Sequence, residues 1–256
     1  MKIVTLLENT ACGTAVTPQH GLSLYIETGS RKILFDMGQD DTFARNAEEL
    51  GIDLSQVDIA VLSHGHYDHG GGLGEFLRIN KKSRVYIHRD AFGQYYNGTE
   101  KYIGLDPSVC EDPRLVFTEG RMQLTPELFL TDCNDLGWHN DSYGLNRREG
   151  TAFRPDDFRH EQYLQITEGK RRVLISGCSH KGIGNIAGYF QPDVLIGGFH
   201  LNKVEDASVL ERIAMALPAD CIYYTGHCTG EKQFAVMKQI MGDRLRKLST
   251  GVVIRI

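Results

Sequence analysis

Ser63-His64-Gly65-His66-Tyr67-Asp68-His69 places three imidazoles and a carboxylate in one short segment, directly after the apolar run Ile59-Ala60-Val61-Leu62. Neutral imidazoles beside a carboxylate suit zinc, iron or manganese, and a strand end can aim such a cluster into a cleft. The spacing is not that of a helical zinc motif, in which two His sit four apart on one face. It demands a tight, irregular loop, and Gly65 with Gly70-Gly71-Gly72 is expected to supply the backbone freedom. Seven of the ten His lie outside the loop, yet general enrichment does not produce this ordered spacing.

Outward from this loop the chain alternates between strand and helix patterns. Residues 3–7, 22–27 and 32–35 read as strands, the latter two joined by the turn-rich Thr28-Gly29-Ser30. Phe43, Ala47 and Leu50 follow a helical period that Gly51 ends. Residues 57–62 and 85–88 read as strands. From about 90 to 160 the rhythm is lost in a stretch rich in Tyr, Gly and Asn. It returns with a hairpin, 163–167 and 172–176, turning at Glu168-Gly169-Lys170. A short helix near 182–189, a strand at 193–196, a helix over about 205–216 and a strand at 221–224 follow. Thr229 then reads as the N-cap of a helix reaching about Met241, and residues 252–256 close as a strand.

Composition excludes several classes of function. A chain of 256 residues that is 41% hydrophobic can bury a large core as one domain, with or without an insertion. A net charge of −5 implies no bulk attraction to nucleic acid. A basic-then-apolar leader and a bilayer-length apolar run are both lacking, so a cytoplasmic protein with no membrane partner is expected. The six Cys at scattered positions read as reduced thiols.

The His-x-His-x-Asp-His motif after an apolar strand resembles the signature of the metallo-β-lactamase superfamily, and further landmarks match in order along nearly the whole chain. Asp36 ends a strand and precedes Met37-Gly38, as in the superfamily's early Asp-Gly element. Gly177-Cys178-Ser179-His180, Gly197-Gly198-Phe199-His200 and Thr225-Gly226-His227-Cys228-Thr229-Gly230 resemble the branch of dihydropterin-linked ribofuranosyl-aminobenzene phosphate synthase-like metallohydrolases. The resemblance implies an α/β fold, an αββα sandwich of two mixed β-sheets flanked by helices. It implies a single domain over 1–256, with a substrate-side insertion at about 90–160.

It also implies a ligand set. His64 and His66 with His180 would serve one metal, and Asp68 and His69 with His227 a second, the ions being one or two zinc, with manganese or iron as alternatives. One departure is visible. The superfamily usually supplies a bridging Asp between its last two His, and the strand at 194–196 runs instead into Gly197-Gly198-Phe199-His200. His200 takes the bridge's place, faces substrate as a proton donor or phosphate contact, or packs beside the site; spacing does not choose. Cys178 and Cys228 read as small buried thiols beside the site rather than ligands. Asp36 is expected to orient the His loop.

The expected activity is hydrolysis by metal-activated water with Asp68 as proton acceptor, on a phosphoester or phosphodiester of a pterin- or nucleotide-like small molecule. Alternatives are a synthase or transferase acting on a phosphate-linked pterin, and a non-haem iron redox protein. Tyr95, Tyr96, Tyr102, Trp138, His139, Arg147, Arg148, Arg154 and Arg159 in the irregular block could stack a ring and clamp a phosphate. An ordinary surface excursion or a contact with a second copy in a homo-oligomer reads equally from the same residues. Lys181 is a further candidate phosphate contact.

Overall fold

The protein's computed structural model describes residues 1–138 and 141–256. Two seven-stranded sheets carry the chain. The first runs Val253–Arg255, Lys2–Leu7, Ser23–Glu27, Lys32–Phe35, Ile59–Val61, Arg84–His88, Leu115–Thr118. The second runs Leu245–Lys247, Ile222–Thr225, Val194–Ile196, Arg171–Ile175, Tyr163–Glu168, Leu128–Thr131, Arg121–Thr125. Both are mixed. Lys32–Phe35, Ile59–Val61 and Arg84–His88 pair in parallel in the first, and Arg171–Ile175, Val194–Ile196 and Ile222–Thr225 in the second.

The layers follow from the side-chain alternation of strands. Ile33, Phe35, Val173, Ile175, Val194 and Ile196 meet in a core between the sheets. The intervening Leu34 points outward to Phe43, Ala47, Leu73 and Phe76, from the helices Thr42–Glu49 and Leu73–Ile79. Leu174 and Leu195 point outward to Ile186, Leu210, Ala214 and Met237, from Ile183–Phe190, Ala207–Ala216 and Glu231–Met241. Ile59–Val61 and Val194–Ile196 are buried throughout, as apolar strands covered on both faces must be. This is the expected αββα sandwich.

Several local expectations change. Thr229 does not cap the last helix. Gly230 precedes that helix without a side-chain cap, and the Thr229 hydroxyl instead accepts from Phe199 N–H at 3.0 Å and meets Thr225 Oγ1 at 2.5 Å. The loop glycines are required by space rather than by backbone conformation. None of Gly65, Gly70, Gly71 and Gly72 has a positive φ, but a Cβ on Gly65 would overlap the Ala91 carbonyl and one on Gly71 the Gln39 carbonyl.

Residues 90–160 do two things. Leu115–Thr118 extends the first sheet, and Arg121–Thr125 and Leu128–Thr131 end the second. Tyr95–Asn97, Lys101–Tyr102, Leu145–Glu149 and Ala152–Pro155 form a separate four-stranded sheet. Its small core of Tyr95, Ile103, Leu145 and Phe158 packs on Tyr67 of the His loop.

Candidate metal centre

Every candidate ligand follows a strand end on one edge of the sandwich. His64 and His66 follow Ile59–Val61, with Asp68 and His69 on the single helical turn Tyr67–Gly70. Cys178 and His180 follow Arg171–Ile175, His200 follows Val194–Ile196, and His227 follows Ile222–Thr225. At Asp36, Ser179, His200 and His227 the backbone is left-handed, with φ of 60°, 59°, 50° and 49°. Non-glycine residues adopt this at a cost of about 1–3 kcal/mol, tolerated where the surroundings fix the geometry. Four such residues around one cleft turn the chain sharply off its strands and into the site.

The six residues the resemblance assigns to metal come together. The His66 and His180 rings lie 4.6 and 4.9 Å from the His64 ring, and 5.1 Å from each other. Beside them, His69 Nε2 lies 3.1 Å from His227 Nε2 and 4.0 Å from Asp68 Oδ2, which is 3.3 Å from His227 Nε2. Ligands on one tetrahedral zinc at 2.0–2.3 Å stand roughly 3.3–3.8 Å apart. The donor separations among Asp68, His69 and His227 therefore have the scale of a coordination sphere, whereas at the other position the ligand atoms of His64 and His180 group with that of Cys178, and that of His66 with Asp156 and His160. Cys178 Sγ is 3.2 Å from His69 Nε2.

Neighbouring residues fix which nitrogen faces the site. Asp36, fully buried, accepts from Ser63 N–H at 2.7 Å and Ser63 Oγ–H at 2.8 Å, and meets His69 Nδ1 at 2.6 Å. With Ser63 Oγ donating to Asp36, His64 Nδ1–H donates to Ser63 Oγ across 2.7 Å. His64 Nε2 is left buried with no hydrogen-bond partner. His227 Nδ1 donates to Asn9 Oδ1 at 3.0 Å, and Glu8 accepts from His227 N–H. These three His thus turn Nε2 inward, the arrangement that a carboxylate or carbonyl behind a ligating imidazole imposes.

Two further buried acids hold the loops. Glu161 accepts from the His180 and Lys181 N–H groups and from Tyr163 O–H. Gly65 N–H donates to His160 Nδ1, so His160 Nε2–H donates to Asp156 at 3.1 Å. His66 Nε2 is 3.8 Å from Asp156, beyond hydrogen-bonding reach.

The electrostatics suit cations. Burial and mutual repulsion hold His64 and His180 well below the usual imidazole range, hence neutral and able to ligate, and burial also lowers His66. At His69 burial is overcome by the Asp36 and Asp68 carboxylates, which push it up to about 9. Asp68 is held well below the carboxylate range, its burial outweighed by His69, His20 and His227. Two carboxylates and a proton on His69 mark a point where positive charge is stabilised. Donor identity, the partnerless His64 Nε2 and this charge balance all fit divalent metal.

The centre opens into a cleft of about 620 Å³, including its solvent-open part, the size of a small-molecule site. His200 lines it, with its ring 4.2 Å from that of His180 and its N–H 3.3 Å from Cys228 Sγ. His20, which the sequence reading passed over, also lines it and pairs with Asp68 at 3.2 Å. None of the described aromatic and arginine residues proposed to clamp substrate lines the cleft, although the Tyr95 ring packs behind it, 5.8 Å from that of His66. Arg147 pairs with Asp157 and Glu149, Arg154 with Glu149, and Trp138 packs on Tyr189. His139 lies outside the described residues. The cations at the cleft are Lys101 and Lys203. Lys181 is buried, donating to Asp132 O at 2.5 Å and Asn134 Oδ1 at 2.7 Å, so it holds loops rather than phosphate.

Residues 16–227 match the family described as the metallo-beta-lactamase superfamily. The uncharacterized protein MJ0448 of Methanocaldococcus jannaschii is 31% identical over 93% of this chain and 94% of its own. From the same organism, 7,8-dihydropterin-6-methyl-4-(beta-D-ribofuranosyl)-aminobenzene-5'-phosphate synthase is 29% identical over 100% and 96%. Among solved structures, Tm1679, a metal-dependent hydrolase of the beta-lactamase superfamily, superposes with a TM-score of 0.86 at 30% identity, covering 100% of this chain and 99% of that one.

Proposed function

Because the chain belongs to the metallo-beta-lactamase superfamily, we propose that it is a metal-dependent hydrolase acting on a phosphoester or phosphodiester of a small, ring-bearing molecule. The observation that carries this reading is the convergence of imidazoles on a cleft lined by His66, Asp68, His180 and His227, with His64 Nε2 buried and partnerless beside the His66 and His180 rings. His64, His66 and His180 would hold one divalent ion, and Asp68, His69 and His227 a second. When bound, such ions polarise the scissile group and bring the pKa of water from 15.7 toward about 7.

The chain's own residues do the rest. Asp68, kept ionised by its His neighbours, accepts the proton of the attacking water. His200, on the cleft wall beside His180, donates a proton to the leaving oxygen. Lys101 and Lys203 at the mouth attract the anionic group, and Tyr67, Ile103 and Leu145 offer an apolar wall to a ring. A small-molecule partner rather than nucleic acid accords with the net charge of −5.

A second reading, synthase or transferase chemistry on a phosphate-linked pterin, is favoured by the full-length likeness to the archaeal synthase. Turnover in ¹⁸O-labelled water separates the two, since only hydrolysis places solvent oxygen in the product. Protein purified without chelators should carry about two zinc, manganese or iron ions per chain by elemental analysis and hydrolyse a chromogenic phosphodiester. A chain that takes up no metal even on reconstitution sinks the proposal. Lys101→Ala and Lys203→Ala should each raise KM for a phosphorylated substrate several-fold and leave metal content unchanged.

A further inference from the structure

Among the described residues, no carboxylate joins the ligand groups around His64 and His69. The strand Val194–Ile196, which would deliver one, ends in Gly197-Gly198, and a Cβ on Gly198 would overlap Cys228 Sγ. Gly198 N–H also donates to Gly177 O at 2.8 Å, drawing that strand end against the loop that bears Cys178. Glycine thus leaves here a space that the Cys228 sulfur fills, beside the backbone of Cys178.

The sulfur that stands among the proposed ligands is that of Cys178. It is buried, and its Sγ stands with His64 and His180 in one group of ligand atoms all within 4.8 Å of one another. It stands with His69 and His227 in a second such group, 3.2 Å from His69 Nε2. Cys178 alone joins the two groups among the described residues, and His64 Nε2, buried without a hydrogen-bond partner, belongs to the first. A third such group sets Cys178 with His200 and Cys228, so five imidazoles surround this sulfur, and a thiolate has lone pairs for two ions.

We propose that the Cys178 thiolate bridges the two metal positions, replacing the missing carboxylate. On metal uptake the Cys178 S–H bond gives its proton to solvent, and sulfur donates to both ions with no change of oxidation state. The buried-thiol role expected from the sequence then belongs to Cys228 alone. A sulfur bridge selects softer ions, favouring zinc, cobalt(II) or iron(II) over magnesium or manganese. This inference rests on the proposed divalent centre.

Cobalt(II) titration of the metal-free full-length chain tests it. In the wild type a thiolate-to-cobalt charge-transfer band should grow through the first equivalent and again through the second. Cys178→Ser should abolish the band and hold about one ion instead of two, with an unchanged circular dichroism spectrum, whereas Cys228→Ala should keep the band. As a check needing no variant, zinc should protect Cys178 of the wild type from iodoacetamide, read by peptide mass spectrometry. Two bound ions with no band overturn the bridge and leave the hydrolase reading standing. A band that saturates at the first equivalent makes Cys178 a ligand of one ion and also overturns it. No cobalt uptake by the wild type overturns both.

Discussion

Asp36 is the residue on which the geometry of the His loop turns. Its two oxygens take three hydrogen bonds inside a fully buried site and so fix His69 directly and His64 through Ser63. Groups behind metal ligands typically carry 10–100-fold in affinity. Asp36→Ala should therefore weaken metal binding by about that factor, measured by competition with a chromogenic chelator. His180→Ala and His227→Ala should each lower metal occupancy while the fold survives, and unchanged occupancy would remove that residue from the site. The motif residues were legible because they cluster in sequence, and Asp36 because it closes a strand. Glu8, Asn9, Asp156 and Glu161 were not, because an isolated polar residue in a loop looks the same whether it faces water or props a ligand 218 residues away, as Asn9 props His227.

At the scale of elements, the His loop is held by close backbone approach. Gly65→Ala should lower stability by about 1–3 kcal/mol through overlap with the Ala91 carbonyl, visible as a lower thermal midpoint. The junction between Leu128–Thr131 and the loop after it depends on Asp132, which accepts from His88 Nε2 at 3.1 Å, Gly120 N–H at 2.6 Å and Asn134 N–H at 2.9 Å. Burial opposes ionisation there, but these donors win and hold the carboxyl below its ordinary 3.8. A depressed carboxyl stabilises the fold above its unfolded-state pKa and ceases to as pH falls toward the folded value. Asp132→Asn should then cost about 1–2 kcal/mol in urea unfolding at pH 7, and distinctly less at pH 3. Strands with a clear apolar period were readable from sequence. Arg121–Thr125, without a buried residue, and the two-residue Lys101–Tyr102 carry no such period, which is why residues 90–160 lost their rhythm.

For the molecule as a whole, the proposed ligands join two halves of the fold. His64, His66, Asp68 and His69 come from the first sheet, His180 and His227 from the second. An ion held between them ties sheet to sheet, so metal should raise the thermal midpoint and a chelator lower it. At a free ion concentration of 100 times Kd the gain per site is about 2.7 kcal/mol. A midpoint indifferent to chelator would count against ligands from both sheets. The sandwich was legible through the motifs that resemble the superfamily, with an order of strands and helices that fits it; the third sheet was not, because its strands gather only around the cleft.

The shared grip of Asp36 carries one more consequence. A single carboxylate steadies His64 of one proposed ion and His69 of the other. Filling either position stiffens the anchor for its neighbour, so part of the ordering entropy is already spent when the second ion arrives. The two loading events are then thermodynamically linked, and by reciprocity each favours the other equally. Wild-type chains at half saturation should hold doubly filled molecules in modest excess of the roughly one quarter that independent sites would give, a distribution that native mass spectrometry counts directly.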